Sequence, residues 1–203
     1  MVKRCKWCGD DPLYVSYHDN EWGVPVRDDQ TLFEFLVLEG AQAGLSWITV
    51  LRKREGYRKL FDNFDAAKIA RYSDKKLDKI LQDPRIVRNR LKVYGTRTNA
   101  KAFLQVQQDC GSFSDYIWSF VEGETIQNHR KSMKDVPATS DISDRLSKDM
   151  KKRGFTFVGS TIVYAHMQAT GMVNDHTTDC FRHRECADMV HKSSSDKKQQ
   201  LNK

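Results

Sequence analysis

The chain has 203 residues, of which 39% are hydrophobic and 30% charged, with a net charge of +7. That length supports one sizeable core or two small lobes. No run approaches the roughly 20 apolar residues that a helical membrane span needs, and an odd count of five cysteines does not suit a pure disulfide framework. Met1-Val2-Lys3-Arg4-Cys5 lacks the apolar core of a secretion signal, so a cytoplasmic protein without a membrane partner is expected, with thiols kept for metal or left free. Charge is unevenly spread. Residues 1–50 are acidic, whereas the stretch from Arg52 to Lys101 is rich in lysine and arginine, a distribution that fits a polyanionic partner.

Residues 1–28 read as irregular and crowd Cys5, Trp7, Cys8, Tyr14, Tyr17, His18 and Trp22 together. From Asp28 or Asp29 as cap, a helix is predicted to about Gly40. Ser46 opens a second over Trp47–Arg54, with Gly56 as its stop. Short helices follow at Tyr57–Phe61, at Ala66–Arg71 behind Asp65, and at Asp74–Gln82 behind Ser73. Asp83-Pro84-Arg85-Ile86-Val87 is a tight break before a long helix from about Arg88 to Gln108. Ser114 opens a helix over Asp115–Val121, and residues 122–139 read as a long loop. Ser140 caps Asp141–Arg153, Phe155–Gly159 reads as short and extended, and Ser160–Thr170 is an apolar helix stopped by Gly171. No stretch alternates with period two, so the fold is predicted to be all-α. The composition changes after Cys180, and residues 187–203 are expected to form a disordered tail behind a single unit over 1–186.

Three constellations carry chemistry. In the first helix Leu32, Phe35, Leu36, Glu39 and Ala43 share a face, which sets a carboxylate on the buried side. The small residues Gly40–Gly44 allow close approach, and Trp47 supplies an aromatic plate. Together they describe a pocket for a flat, cationic or hydrogen-bond-donating ligand; pairing of Glu39 with a core arginine is the plainer reading. The second is Asp74–Gln82, the Pro84 break and Arg88–Gln108, a helix, hairpin and helix around which Arg85, Arg88, Arg90 and Lys92 cluster. Such a pair binds duplex phosphates without reading sequence; an ordinary helical corner with a solvated basic face has the same pattern. The third is metal-capable: His176-x3-Cys180 has ligands one helical turn apart, while Cys5 could act with Cys8 or with His18. Four such ligands would form a closed, structural site. The aromatics Trp7, Tyr14, Tyr17, Trp22 and Trp47 are either core or a stack for a planar base.

Asp11-Pro12-Leu13-Tyr14, Tyr17-His18-Asp19-Asn20-Glu21-Trp22-Gly23-Val24-Pro25, Leu38 through Trp47, Lys152-Arg153-Gly154-Phe155, Phe157-Val158-Gly159 and Val173-Asn174-Asp175-His176 resemble the 3-methyladenine DNA glycosylase I family over about residues 4–180. The resemblance implies an all-α helix-hairpin-helix DNA glycosylase fold, with structural Zn2+ held by Cys5, His18, His176 and Cys180 joining the N- and C-terminal segments. It also implies a base pocket of Glu39, Tyr17, Trp7, Tyr14 and Trp47. The implied activity is hydrolysis of the N-glycosidic bond of 3-methyladenine in alkylated double-stranded DNA, releasing the free base. Arg85 and Leu91 stand where family members often have hairpin glycines.

The expected sequence of events follows from these parts. The basic hairpin holds phosphates, and the damaged nucleotide is flipped out of the stack. Leu45, beside Gly44, fills the gap. The cationic base stacks on Trp47, and an ionised Glu39 favours it over neutral adenine. A monomer is expected. Two other readings share some of these features: a non-cleaving DNA-binding module, and a zinc hydrolase, which would need an open metal position.

Overall fold

The computed structural model describes residues 2–189. Between residues 12 and 169 ten α-helices form the body: α1 (Pro12–Asn20), α2 (Asp29–Gln42), α3 (Trp47–Leu51), α4 (Arg54–Leu60), α5 (Ala66–Ile69), α6 (Asp74–Leu81), α7 (Arg90–Cys110), α8 (Phe113–Ser119), α9 (Asp141–Lys152) and α10 (Ser160–Ala169). One parallel pair of two-residue strands, β1 (Ile126–Gln127) and β2 (Val173–Asn174), is the exception to an all-α fold. Helix α2 is the spine. It packs against α3, α7, α8 and α10, and its residues from Leu32 to Ala41 are all buried. No helix among the described residues is long and apolar enough to cross a membrane.

The caps explain most boundaries. Asp28 accepts from Thr31 N and starts α2, and Ser73, Asn89 and Ser140 do the same for α6, α7 and α9. Asp29 has a longer reach: its carboxylate takes the N–H groups of Phe113 and Ser114 at 2.9 and 2.7 Å, which fastens the start of α8 to the start of α2. Helix α8 is capped by Ser112 rather than the expected Ser114, which is buried.

Elsewhere tertiary packing overrides the local pattern. Residues 12–20, read as irregular, form α1, with Asp11 accepting from Leu13 and Tyr14 N–H and Pro12 in the first turn. The helix expected over Trp47–Arg54 breaks after Leu51, and Gly56 lies inside α4 instead of stopping a helix. The reason is contact: a Cβ at Gly56 would come within 2.4 Å of Arg85 O, so a glycine is needed where the hairpin backbone crosses α4. Likewise α2 runs through Gly40 to Gln42. Gly40 and Gly95 of α7 face Phe157, whose own φ of 56° is left-handed. A Cβ at either glycine would come within 3.3 and 2.9 Å of the Thr156-Phe157 segment. Asn99 clamps that segment, giving Nδ2 to Thr156 O at 3.0 Å and taking Thr156 N at 2.7 Å. Phe157 thus spaces the helix bearing Glu39 from the helix that follows the hairpin.

The first and last segments of the described residues meet. Phe181 N donates to Lys3 O, and residues 181–189 are helical, including 187–189, which the sequence placed in a disordered tail; the rest of that expected tail, 190–203, lies outside the described residues.

Candidate active site and metal centre

A cleft of about 250 Å³ opens between α1, the end of α2, α3, α10 and the loop before α9. Its near wall is aromatic. Tyr14 and Tyr17 are i, i+3 on α1 and present the same face. The Trp7 ring lies 4.9 Å from Tyr14 and 5.0 Å from Trp22, and Tyr17 lies 5.4 Å from Trp47, none of them coplanar. The indole N–H groups of Trp7 and Trp47 are buried without a partner.

Glu39 lines this cleft and is 4% exposed. The core arginine of the plainer reading is used elsewhere: Arg54 pairs with Glu34 and, at 2.5 Å, with Glu21. Among the described residues the Glu39 carboxyl has no hydrogen-bond partner, and burial alone pushes its pKa up to about 8. The cleft by itself therefore favours the protonated acid at neutral pH, not the ionised group the sequence led us to expect. Tyr17 is pushed well above the ordinary tyrosine range, first by burial and then by Glu39.

The far wall was not foreseen. It consists of Thr161, Tyr164, Ala165 and Gln168 on α10, with Met133, Val136, Pro137 and Ala138 from the loop. A loop that long is itself a functional signal, and the polar pair Tyr164 and Gln168 at i, i+4 on a largely apolar helix is another.

Cys5, His18, His176 and Cys180 are all buried, and their ligand atoms lie within 4.8 Å of one another. Cys180 Sγ is 3.4 Å from His18 Nε2 and 3.7 Å from His176 Nδ1, and Cys5 Sγ is 3.6 Å from His176 Nδ1. A tetrahedral site with metal–sulfur bonds of about 2.3 Å and metal–nitrogen bonds of about 2.0 Å has edges of roughly 3.6 Å, so the donor set fits. The remaining ring nitrogens are held. His18 Nδ1 meets Asp19 at 2.7 Å, with Arg4 behind it, and His176 Nε2 donates to Trp22 O at 3.0 Å. Cys8 turns away, donating to Cys5 O at 3.1 Å. Four protein donors leave no open position, which removes the zinc-hydrolase reading. The cluster is a metal-binding site of structural type. It fixes α1 through His18, the neighbour of Tyr17, and so holds the aromatic wall.

On the adjoining surface the hairpin between α6 and α7 carries the predicted arginines. Arg85 pairs with Asp83 at 2.6 Å and Arg90 with Asp78 at 2.7 Å, while Arg88 is exposed and has no ion-pair partner among the described residues. Lys92 Nζ donates to Ala41 O and Ala43 O at 2.8 and 2.6 Å, tying the start of α7 to the end of α2. Just beyond, Gly44 has φ 83°, the left-handed conformation that favours glycine, and Leu45 is 41% exposed. The Lys92 side chain thus ties the helix that follows the hairpin to the segment between Glu39 and the Leu45 turn.

This architecture, an all-α body around a helix-hairpin-helix with its ends joined at a metal-ligand cluster, is that of the helix-hairpin-helix DNA glycosylases. Comparison with known proteins narrows it. The chain belongs to the methyladenine glycosylase family, which it matches over residues 7–183. It is 49% identical to the DNA-3-methyladenine glycosylase 1 of Escherichia coli over 179 residues, 88% of this chain and 96% of that one. It is 48% identical to the DNA-3-methyladenine glycosylase of Haemophilus influenzae, covering 89% and 97%. A crystal structure of 3-methyladenine DNA glycosylase I superposes with a TM-score of 0.86 at 50% identity, over 88% of this chain and 98% of that one. The Staphylococcus aureus enzyme, solved to explain 3-methyladenine recognition, gives 0.86 at 36% identity, over 88% and 95%.

Proposed function

We propose that this protein is a monofunctional DNA-3-methyladenine glycosylase of base-excision repair. The observation that carries the reading is a buried carboxylate, Glu39, left without a partner at the end of an aromatic cleft. Such a group is costly in an empty site and is relieved by a cation, and N3-methylation makes adenine cationic in DNA. Membership of the methyladenine glycosylase family supports the same substrate.

Arg85, Arg88 and Arg90 engage phosphates, Leu45 on the Gly44 turn fills the place of the flipped nucleotide, and Trp47, Tyr14 and Trp7 enclose the base. Cation–π attraction contributes about 0.5–2 kcal/mol. Glu39, ionised as the cation enters, and Tyr17 bind the base edge. The C1′–N9 bond then breaks with its electrons passing to the base, which leaves as neutral 3-methyladenine. Water adds to C1′ and loses a proton, leaving an abasic site. The positive charge already makes the base a good leaving group, so binding and electrostatics suffice. Cys5, His18, His176 and Cys180 hold Zn2+, the ion their donor set suits, and it supplies folding energy rather than chemistry. Residues 1–186 act as one unit, a cytoplasmic monomer.

Purified protein is expected to release free 3-methyladenine from methylated duplex DNA. Glu39→Gln is expected to lose release and base binding while keeping its affinity for undamaged DNA. Equal loss of bulk DNA affinity would remove Glu39 from the base site.

A further inference from the structure

A second buried carboxylate lies behind the far wall of the cleft. Asp175, between β2 and His176, is 1% exposed. Oδ2 accepts from Tyr164 OH at 2.7 Å and Gln168 Nε2 at 2.8 Å. Oδ1 accepts from Asn128 Nδ2 at 2.8 Å and Arg130 Nε at 3.4 Å. Both oxygens are engaged by donors, so the carboxylate acts as an acceptor only.

That arrangement fixes the Gln168 amide. Amide orientation is decided by the surrounding network, and here a flip would set Gln168 Oε1 against Asp175 Oδ2, two oxygens with no proton between them. Nε2 is therefore turned inward. Oε1 has no hydrogen-bond partner among the described residues, and the side chain lines the cleft. Nε2 spends one of its two N–H donors on Asp175, and Oε1, on the opposite arm of the amide, is the polar atom of Gln168 with no partner at all, an acceptor.

We propose that Gln168 sets base choice: its Oε1, held as an acceptor by Asp175, takes an N–H of the 6-amino group of a flipped adenine and repels the 6-oxo group of a guanine methylated at the same nitrogen. The inference rests on the glycosylase reading above. Glu39 answers the charge common to both methylated purines, whereas Gln168 answers the group that distinguishes them. Asp175 touches no base and is a positioning residue. An acceptor facing an acceptor in a desolvated cleft corresponds to roughly 10- to 100-fold in preference.

The test uses duplex DNA treated with dimethyl sulfate, with released 3-methyladenine and 3-methylguanine separated and counted from one reaction. Gln168→Met keeps length and removes the acceptor. It is expected to lower 3-methyladenine release about 10- to 100-fold without lowering 3-methylguanine release, so that the ratio collapses. Asp175→Asn lets the Gln168 amide turn over, and the ratio is expected to fall with zinc content and affinity for undamaged duplex unchanged. Parallel loss of both products in Gln168→Met, or an unchanged ratio, overturns the assignment while leaving the glycosylase reading intact. Failure of the wild-type protein to release 3-methyladenine overturns that reading, and this one with it.

Discussion

Glu39 gives the sharpest quantitative prediction, because its environment is simple. The carboxyl is buried, unpaired and pushed to about 8 by desolvation alone, against an unperturbed value of 4.5. In the unfolded chain it loses its proton near the unperturbed value. In the folded protein it keeps the proton until pH passes about 8. Between those limits the folded state binds more protons than the unfolded one, so the stability associated with this group is present at low pH and lost as pH rises. The slope is about 1.4 kcal/mol per pH unit, and the full window amounts to roughly 5 kcal/mol. Glu39→Gln keeps the shape and removes the titration. Urea denaturation of both proteins at several pH values between 5 and 8 isolates the effect, since every other titrating group is common to the pair. The variant is expected to be increasingly the more stable of the two as pH rises. Parallel stability curves would refute the reasoning, and would mean that the carboxyl is solvated or paired in solution.

Asp19 orients His18 at 2.7 Å, so Asp19→Ala should weaken metal binding about 10- to 100-fold, read by competition with a chelator, with base release per metal-loaded molecule unchanged. Gly56→Ala forces a Cβ to within 2.4 Å of Arg85 O. It is expected to cost about 1–3 kcal/mol of stability in denaturant melts and to weaken duplex binding by displacing the hairpin. Arg88→Ala should reduce the magnitude of the salt slope of duplex binding by about 1, measured by titrating undamaged DNA at several salt concentrations. Asp78→Asn frees Arg90 from its 2.7 Å partner and should tighten the same binding, most strongly at low salt.

What the sequence determined by itself is local chemistry and periodic pattern. Capping residues with a hydrophobic run behind them marked α2, α6 and α9, because a cap and an amphipathic stripe are properties of a few consecutive residues. The motifs from Asp11 to His176 carried the family, and through it the metal ligands and the aromatic wall. Glu39 stood out because an apolar helix face holds a carboxylate there.

Only the tertiary structure decided what each of those groups meets. Glu39 is unpaired because Arg54 is occupied by Glu34 and Glu21, which is a matter of three-dimensional reach. Gly56 reads as a helix stop in sequence, yet the crossing hairpin backbone makes it an interior helix residue. Asp29 reads as a cap for its own helix, yet its carboxylate takes the first two N–H groups of α8, beside the Ser112 cap. Cys5 chooses His18 over Cys8 because the 3-10 turn over Lys6–Cys8 rotates the Cys8 thiol away from the cluster. Gln168 is marked in the chain only as a polar residue one turn from Tyr164, since its amide acquires a direction only from Asp175, seven residues along and folded back behind it. Sequence specifies which groups are available. Packing specifies which are already satisfied, and a site is made of those that are not.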